Sequence, residues 1–285
     1  MLEGVIMSKI TIQEMVQALQ NFGNSTFLTS CLLCLSLGVS NAALAEYKKP
    51  PGTHNDAPKG ESSTMTGIRG KGSCSEQATT KLTALAPYSH PGQSANSHPT
   101  FAWHIPDPES YPVLFRLYEY DATQRNGKDK TIAKKPLSST PGIMSYTLPS
   151  GSPGLTVGQK YGWEVILVCN PNSPSQSLVA GAEIDIVNQP AEIETKLNNT
   201  SQANGITKAD IYAQAGLWYD ALAEVVVTPN DPQAKALTAK LIEQLTATEQ
   251  QDNANNAQSE ASAIQQQQQQ QLAEITAALT ANSKN

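Results

Sequence analysis

A β-rich domain followed by a short helical region and a low-complexity tail is what this sequence predicts, on three observations. Seven strand-like segments, separated by Pro and Gly, run between residues 74 and 189. Residues 161 to 169 place Tyr161, Trp163, Val165, Leu167 and Cys169 on one face of a strand that opens on what looks like a tyrosine corner. Beyond residue 206 the apolar spacing changes from every second residue to every third or fourth. Seven strands with an aromatic-rich, cysteine-ended strand point to an immunoglobulin-like or fibronectin-like β-sandwich. The composition agrees: 39% hydrophobic residues support an ordinary core, while 15% charged residues and 18 prolines suit a loop-rich β protein.

The N-terminal part reads as an export signal. Phe27 to Val39 is an uncharged apolar run, followed by Ala43-Leu44-Ala45, the small-x-small pattern that precedes signal-peptidase cleavage, here between Ala45 and Glu46. A bilayer needs about 20 apolar residues, and Asn41 and Glu46 interrupt any extension of the run, so the mature chain is expected to keep no stable membrane span. Lys9 is the sole basic group ahead of the run, against Glu3 and Glu14, which makes Met7 or Met15 an alternative start. Leu28-Thr29-Ser30-Cys31 resembles a lipobox, but the polar Gln20 to Asn24 stands where that signal needs an apolar run. The expected location is periplasmic or extracellular.

Cleavage after Ala45 would remove Cys31 and Cys34 and leave two cysteines, Cys74 and Cys169. In an oxidising compartment these are expected to form a disulfide, and closing so long a loop contributes about 4 to 5 kcal/mol in the chain-entropy model. The rival reading, a nucleophilic thiol, needs a nearby histidine that sequence does not place.

The elements follow in chain order. Residues 46 to 72 hold Gly, Pro, Lys and Ser with almost nothing apolar, and are expected to form a disordered linker. Its five basic residues suit solvent better than any specific anionic surface. The sandwich domain, 73 to 190, carries strands at Leu82 to Tyr88, Thr100 to Ile105, Val113 to Tyr120, Thr131 to Leu137, Ile143 to Leu148, Tyr161 to Cys169 and Leu178 to Val187. Phe101, Trp103 and Ile105 share a face, as do Val113, Phe115 and Leu117, and Leu178, Ala180, Ala182, Ile184 and Ile186. Asn126-Gly127 is a strong type I′ turn signal, and Ser138 to Gly142 reads as a second tight turn.

A linker is expected over 191 to 206, then an α-helical hairpin over 207 to 246. Thr207 and Asp210 resemble a cap, Ile211, Tyr212 and Ala215 give the stripe, and Gly216 breaks the run. Trp218 to about Val227 forms the second helix, closed by Pro229. Asp231-Pro232 restarts a helix with Leu237, Leu241 and Leu245 in step. The hairpin resembles one tetratricopeptide-like unit, and one copy must pack on the sandwich or on a partner. Residues 247 to 285, with seven consecutive glutamines at 265 to 271, read as a disordered or weakly helical tail, with a coiled-coil association segment as the alternative, in which Leu272, Ile275 and Leu279 give a short helical stripe.

These residues resemble a mainly cyanobacterial family of exported proteins, domain of unknown function 928, over residues 67 to about 245. The resemblance rests on Gly-Ser-Cys at 72 to 74, Leu-Thr-Ala-Leu-Ala-Pro at 82 to 87, Pro-Thr-Phe-Ala-Trp-His-Ile-Pro at 99 to 106, Pro-Gly-Ile-Met-Ser at 141 to 145, Val-Gly-Gln-Lys-Tyr-Gly-Trp at 157 to 163, Val-Cys-Asn-Pro at 168 to 171 and Tyr-Ala-Gln-Ala-Gly-Leu-Trp-Tyr-Asp-Ala-Leu at 212 to 222. It implies an exported sandwich-plus-helices protein and brings no assigned activity. His104 stands where the family has an aromatic, and the glutamine-rich tail replaces a more apolar ending.

Chemistry is sparse. Zinc-protease, P-loop, dinucleotide and nucleophile-elbow motifs are missing, and no catalytic, cofactor-binding or metal-ligating set is expected. Residues 67 to 72, Gly-Ile-Arg-Gly-Lys-Gly, lack the hydroxyl that a P-loop needs after its lysine. His54, His90, His98 and His104 have no ligand spacing, and His104 is expected to point outward from its strand. Glu183 with Asp185, and Glu119 with Asp121, share strand faces and read as solvated pairs. The net charge of -6, with five Lys against eleven Asp or Glu beyond residue 190, argues against nucleic acid. The expected function is a non-enzymatic interaction module for an envelope protein, with Tyr212, Trp218 and Tyr219 as the candidate interface or as core anchors. The alternative is glycan binding through Tyr88, Tyr111 and Tyr118; a hydrolase is a distant third.

Overall fold

The computed structural model describes residues 47–51, 73–76, 78–119, 130–200, 205–226, 232–255 and 260–281. The expected signal segment, its expected cut between Ala45 and Glu46, and the expected Asn126-Gly127 turn lie outside the described residues. The class is mixed: two sheets and, among the described residues, five α-helices. Strands β1 (Thr83–Ala84), β3 (Thr100–Ile105) and β6 (Gly142–Thr147) form one sheet in the order β1-β3-β6. Strands β2 (Gly92–Ser94), β4 (Pro112–Glu119), β5 (Lys130–Ser138), β7 (Lys160–Leu167) and β8 (Leu178–Ile186) form the other in the order β2-β8-β7-β4-β5. Pairing is antiparallel except for β2 with β8, which run parallel.

The alternation read from sequence sets the core. Phe101 of β3 meets Phe115 of β4 at 5.1 Å between ring centroids and Trp163 of β7 at 5.4 Å, while Trp103 stacks on Phe115 at 6.1 Å. Leu117, Val165, Leu167, Ile184 and Ile186 complete this buried layer between the sheets. Tyr161 stands near the start of β7, its hydroxyl accepting from the Thr156 backbone N–H at 3.0 Å. The Cys74 and Cys169 sulfurs are bonded, with Cα atoms 5.1 Å apart, and staple the segment ahead of β1 to the end of β7.

Two strands differ from expectation for one local reason. The strand expected over Leu82 to Tyr88 shortens to Thr83–Ala84, because Pro87 has no N–H to give a ladder and the amides of Tyr88 and Ser89 bond instead to the Glu249 carboxylate at 3.0 Å. The chain then re-enters the sheet as β2, a short strand hidden in a Pro, Gly and Ser-rich stretch. The Ser138 to Gly142 passage, with Gly142 at φ 89°, carries the chain from β5 in one sheet to β6 in the other rather than closing a hairpin.

The helical part is larger than expected. Helix α1 (Ala191–Asn199) occupies most of the expected 191 to 206 linker, with Glu192 and Glu194 in its first turn and Lys196 in its last, the arrangement the helix dipole favours. Helices α2 (Gly205–Gln214) and α3 (Trp218–Val226) are joined by Gly216 at φ 77°, where Leu217 N–H bonds Tyr212 C=O and Gly216 N–H bonds Ala213 C=O, a Schellman end. Helix α4 (Pro232–Asn255) pairs with α5 (Glu260–Ala281). The disordered tail is therefore corrected: the glutamine tract is helical, and Gln268, Gln271, Leu272 and Ile275 are buried at helical spacing. Gln is a good helix former, and the apolar pair has a partner stripe in Leu241, Ile242 and Leu245 of α4.

That same helix corrects His104. All six residues of β3 are buried, because Thr83, the register partner of His104, meets Gln271 of α5 at 3.3 Å on the face away from the other sheet. His104 thus points inward between layers, and burial pulls its pKa down to about 4. The described part of the expected 46 to 72 linker is also packed: Tyr47 is 2% exposed, its ring edge-on to Trp218 at 5.2 Å.

Candidate functional site: an acidic cleft at the helix–sheet junction

Helix α3 is seated by its first two residues. Trp218 and Tyr219 are fully buried; Trp218 Nε1 donates to Leu85 C=O at 2.9 Å, and the Tyr219 hydroxyl donates to Glu183 C=O at 2.8 Å while accepting from Trp163 Nε1 at 2.7 Å. One phenol thereby ties α3 to β7 and β8. These two candidate interface residues are anchors inside the chain, and a tyrosine ring packed this way is pushed far from ionising by burial.

The third residue of α3, Asp220, reaches the end of β2. Its carboxylate accepts from Ser94 Oγ at 3.0 Å and from the Ala95 N–H at 2.7 Å. The following loop is pinned by its own short bonds: Asn96 Oδ1 accepts from His98 N–H at 2.9 Å, Ser97 C=O accepts from Leu155 N–H at 2.8 Å, and His98 Nε2 lies 3.0 Å from Ser152 C=O. Between this loop and the helices lies an open cleft of about 350 Å³, lined by Asn96, Ser97, Gln189, Tyr212, Asp220 and Glu224 with Ala95 and Ala223. Its size is at the small end of the range for small-molecule or side-chain pockets.

The cleft concentrates negative charge in a partly desolvated place. Burial lifts Asp220 to about 6, against the pull of its hydrogen bonds from Ala95, Ser94 and Asn96, and with a further push from Glu224. Glu224 is raised by burial, with Lys208 opposing, and Tyr212 is raised by burial and by both carboxylates. Acceptors at the floor, an aromatic wall and two amides suit a ligand rich in donors. Of the candidate interface residues, Tyr212 alone lines it.

A second polar cluster is closed. Glu249 of α4 accepts from the amides of Tyr88 and Ser89 and from Ser89 Oγ at 3.2 Å; Ser89 Oγ lies 2.8 Å from His90 Nδ1, and the Tyr47 hydroxyl 3.0 Å from His90 Nε2. Serine, histidine and carboxylate converge here, yet all are 2% exposed or less. Its geometry clamps α4 to the loop after β1.

The remaining sequence candidates disperse. Tyr88 and Tyr118 are buried and Tyr111 partly so, which removes the expected exposed aromatic platform. Glu183 is buried beside Lys160, Nζ at 3.7 Å, rather than solvated, and burial raises Asp185. Glu119 pairs with Lys130 at 3.4 Å, and Asp121 lies outside the described residues. Among the described residues no group of three or more His, Cys, Asp or Glu is arranged to hold a metal ion, and no helix is long and apolar enough to cross a membrane. Asp220 and Glu224 escaped the sequence reading because their role depends on Ser94 and Asn96, far off in the chain; the i and i+4 spacing on α3 was the available signal.

Residues 64–259 match the model of a family described as Domain of Unknown Function (DUF928). No curated protein matches the chain. The match takes in both sheets and the whole of α1 to α4, and stops where α5 begins.

Proposed function

The chain belongs to the DUF928 family, and from that premise we propose that it is an exported, non-enzymatic interaction module that binds an envelope protein through the cleft at Tyr212, Asp220 and Glu224. The observation that carries this reading is the cleft itself: an open, pre-organised, acidic recess where helices meet a sheet. A donor-rich segment of a partner, presenting lysine, arginine or backbone amides, matches its chemistry. The Cys74 to Cys169 bond supports a periplasmic or extracellular location, since such bonds persist where the compartment is oxidising. The closed Ser89, His90 and Glu249 cluster, satisfied within the chain, supports a clamp and not a catalytic set.

On the same footing, the two sheets are an immunoglobulin or fibronectin-like sandwich and α2 with α3 one tetratricopeptide-like unit; the Tyr161 bond to Thr156 and the Gly216 turn support these finer assignments. The test of function is a pull-down of mature protein from its native envelope under cross-linking, with wild type beside Tyr212→Ala and Glu224→Gln. A stoichiometric partner retained by wild type and reduced about tenfold by either variant is expected. Recovery of none, or equal recovery by all three, rejects the reading.

Glycan binding is the second reading, moved from the buried tyrosines to the cleft. It is favoured by one aromatic standing beside Asn96, Gln189 and two carboxylates, the side chains that grip sugar hydroxyls. A glycan array with the same variants separates the two: a Tyr212-dependent glycan signal selects it.

A further inference from the structure

Residues 47–51 occupy a socket whose partners come from distant parts of the chain. Tyr47 sits 2% exposed with its ring edge-on to Trp218 of α3 and near-parallel to His90 at 6.3 Å, and its hydroxyl reaches His90 Nε2 at 3.0 Å. His90 is held from behind by Ser89, which Glu249 of α4 fixes. The main chain is gripped as well: Lys48 N–H donates to Ala213 C=O at the end of α2, 3.1 Å away. Gly216 lets the segment lie close, since a Cβ there would stand 2.9 Å from Lys48 O and 2.8 Å from Pro50 Cγ. The loop after β1, the α2–α3 turn, α3 and α4 thus converge on one tyrosine and the residues after it.

We infer that this socket is a peptide-binding site for an extended segment bearing an aromatic anchor, and that the chain fills it in cis with its own residues 47–51. The contacts have the make-up of peptide recognition elsewhere: an aromatic side chain in a desolvated pocket, a main-chain hydrogen bond beside it, and a glycine that admits the backbone. The partners His90, Ala213, Gly216 and Trp218 all lie far along the chain from the occupant, which is joined to them through residues 52–72, rich in Gly, Pro, Lys and Ser. The socket therefore needs the covalent link for local concentration and not for shape, since joining an occupant to its site makes binding intramolecular. The site uses none of the cleft side chains, so it stands independently of the function proposed above.

The test keeps the full chain. A single protease site is introduced within residues 52–72, the protein is folded and then cut, and uptake of a fluorescent peptide spanning Glu46 to Pro51 is followed by anisotropy beside a twin with alanine in place of the tyrosine. Cut protein should bind the tyrosine peptide saturably and the alanine twin at least tenfold more weakly, while uncut protein binds neither. Retention of its own cut segment through gel filtration is the same result without the label. A second variant, Tyr47→Ala in the uncut chain, should open the socket to the tyrosine peptide. Loss of the cut segment with no peptide uptake, equal uptake of both peptides, or uptake by uncut wild type equal to that of cut protein overturns the inference.

Discussion

Asp220 is the residue on which charge and structure pull in opposite directions. Its folded pKa, about 6, lies above the ordinary 3.8 because burial opposes the charged form more than its hydrogen bonds favour it. Between those values the folded chain holds a proton that the unfolded chain has released. Its contribution to stability is thus fully present below about pH 4 and is lost as pH rises through about 6. The gap is worth about 3 kcal/mol at most. Asp220→Asn removes the effect, so urea melts should show the variant gaining on wild type by roughly 2 to 3 kcal/mol between pH 4 and pH 7; parallel pH slopes would assign the proton elsewhere. Tyr219→Phe works by the opposite logic, leaving Trp163 Nε1 without its acceptor and Glu183 C=O without its donor in a dry core. A loss of about 2 to 4 kcal/mol in the same melts is expected. Sequence marked Tyr219 as a large aromatic at a helix start, which is a statement about size. Its two hydrogen bonds span 56 and 36 positions and were beyond the reach of any local pattern.

At the scale of elements, helices declare themselves by their own spacing but not by what they cover. The strands of the two sheets were legible because alternation reports burial directly: Thr100–Ile105 is found with the expected bounds and Leu178–Ile186 within one residue. The glutamine tract hid α5, since burial of Gln268 and Gln271 leaves no hydrophobic signal, and the stripe of Leu272 and Ile275 needed its partner on α4 to mean anything. Leu272→Ala should cost about 2 to 5 kcal/mol and strip amide-exchange protection from both α4 and α5; a change below about half a kcal/mol would return this segment to the status of a tail. Helix α3 has its own test. A Cβ at Gly92 would meet Tyr219 Cε2 at 2.6 Å, and the ring, buried and bonded at its far end, has nowhere to move. Gly92→Ala should destabilise by about 1 to 3 kcal/mol.

For the whole molecule the governing link is covalent. Cys74 precedes β1 and Cys169 follows β7, so one bond spans a sequence separation of 95 that takes in β1 to β7, and every helix among the described residues lies outside it. In the chain-entropy picture such a closure contributes about 4 to 5 kcal/mol by restricting the unfolded chain, a large share of the stability of an ordinary domain. This pairing was readable early, because the expected export signal, with a cut that would discard Cys31 and Cys34, leaves Cys74 and Cys169 to pair. The two proposed surfaces were not, since the cleft joins β2 to α3 and the socket joins residue 47 to residues 90, 213, 216 and 218. The staple also separates the two halves experimentally. Reductant should lower the unfolding free energy of wild type by about 4 kcal/mol and leave a Cys74→Ser, Cys169→Ser double variant unmoved. Denatured mature protein should expose two thiols after reduction and none before; two thiols without reductant would remove the bond and, with it, the argument for an oxidising compartment. Because the link encloses the cleft's own Ala95 to Ser97 and the Leu85 carbonyl that Trp218 binds, loss of stability on reduction should extend to Trp218 and the cleft as well as to α3, whose seat on Trp163 and Glu183 depends on the sheet staying folded.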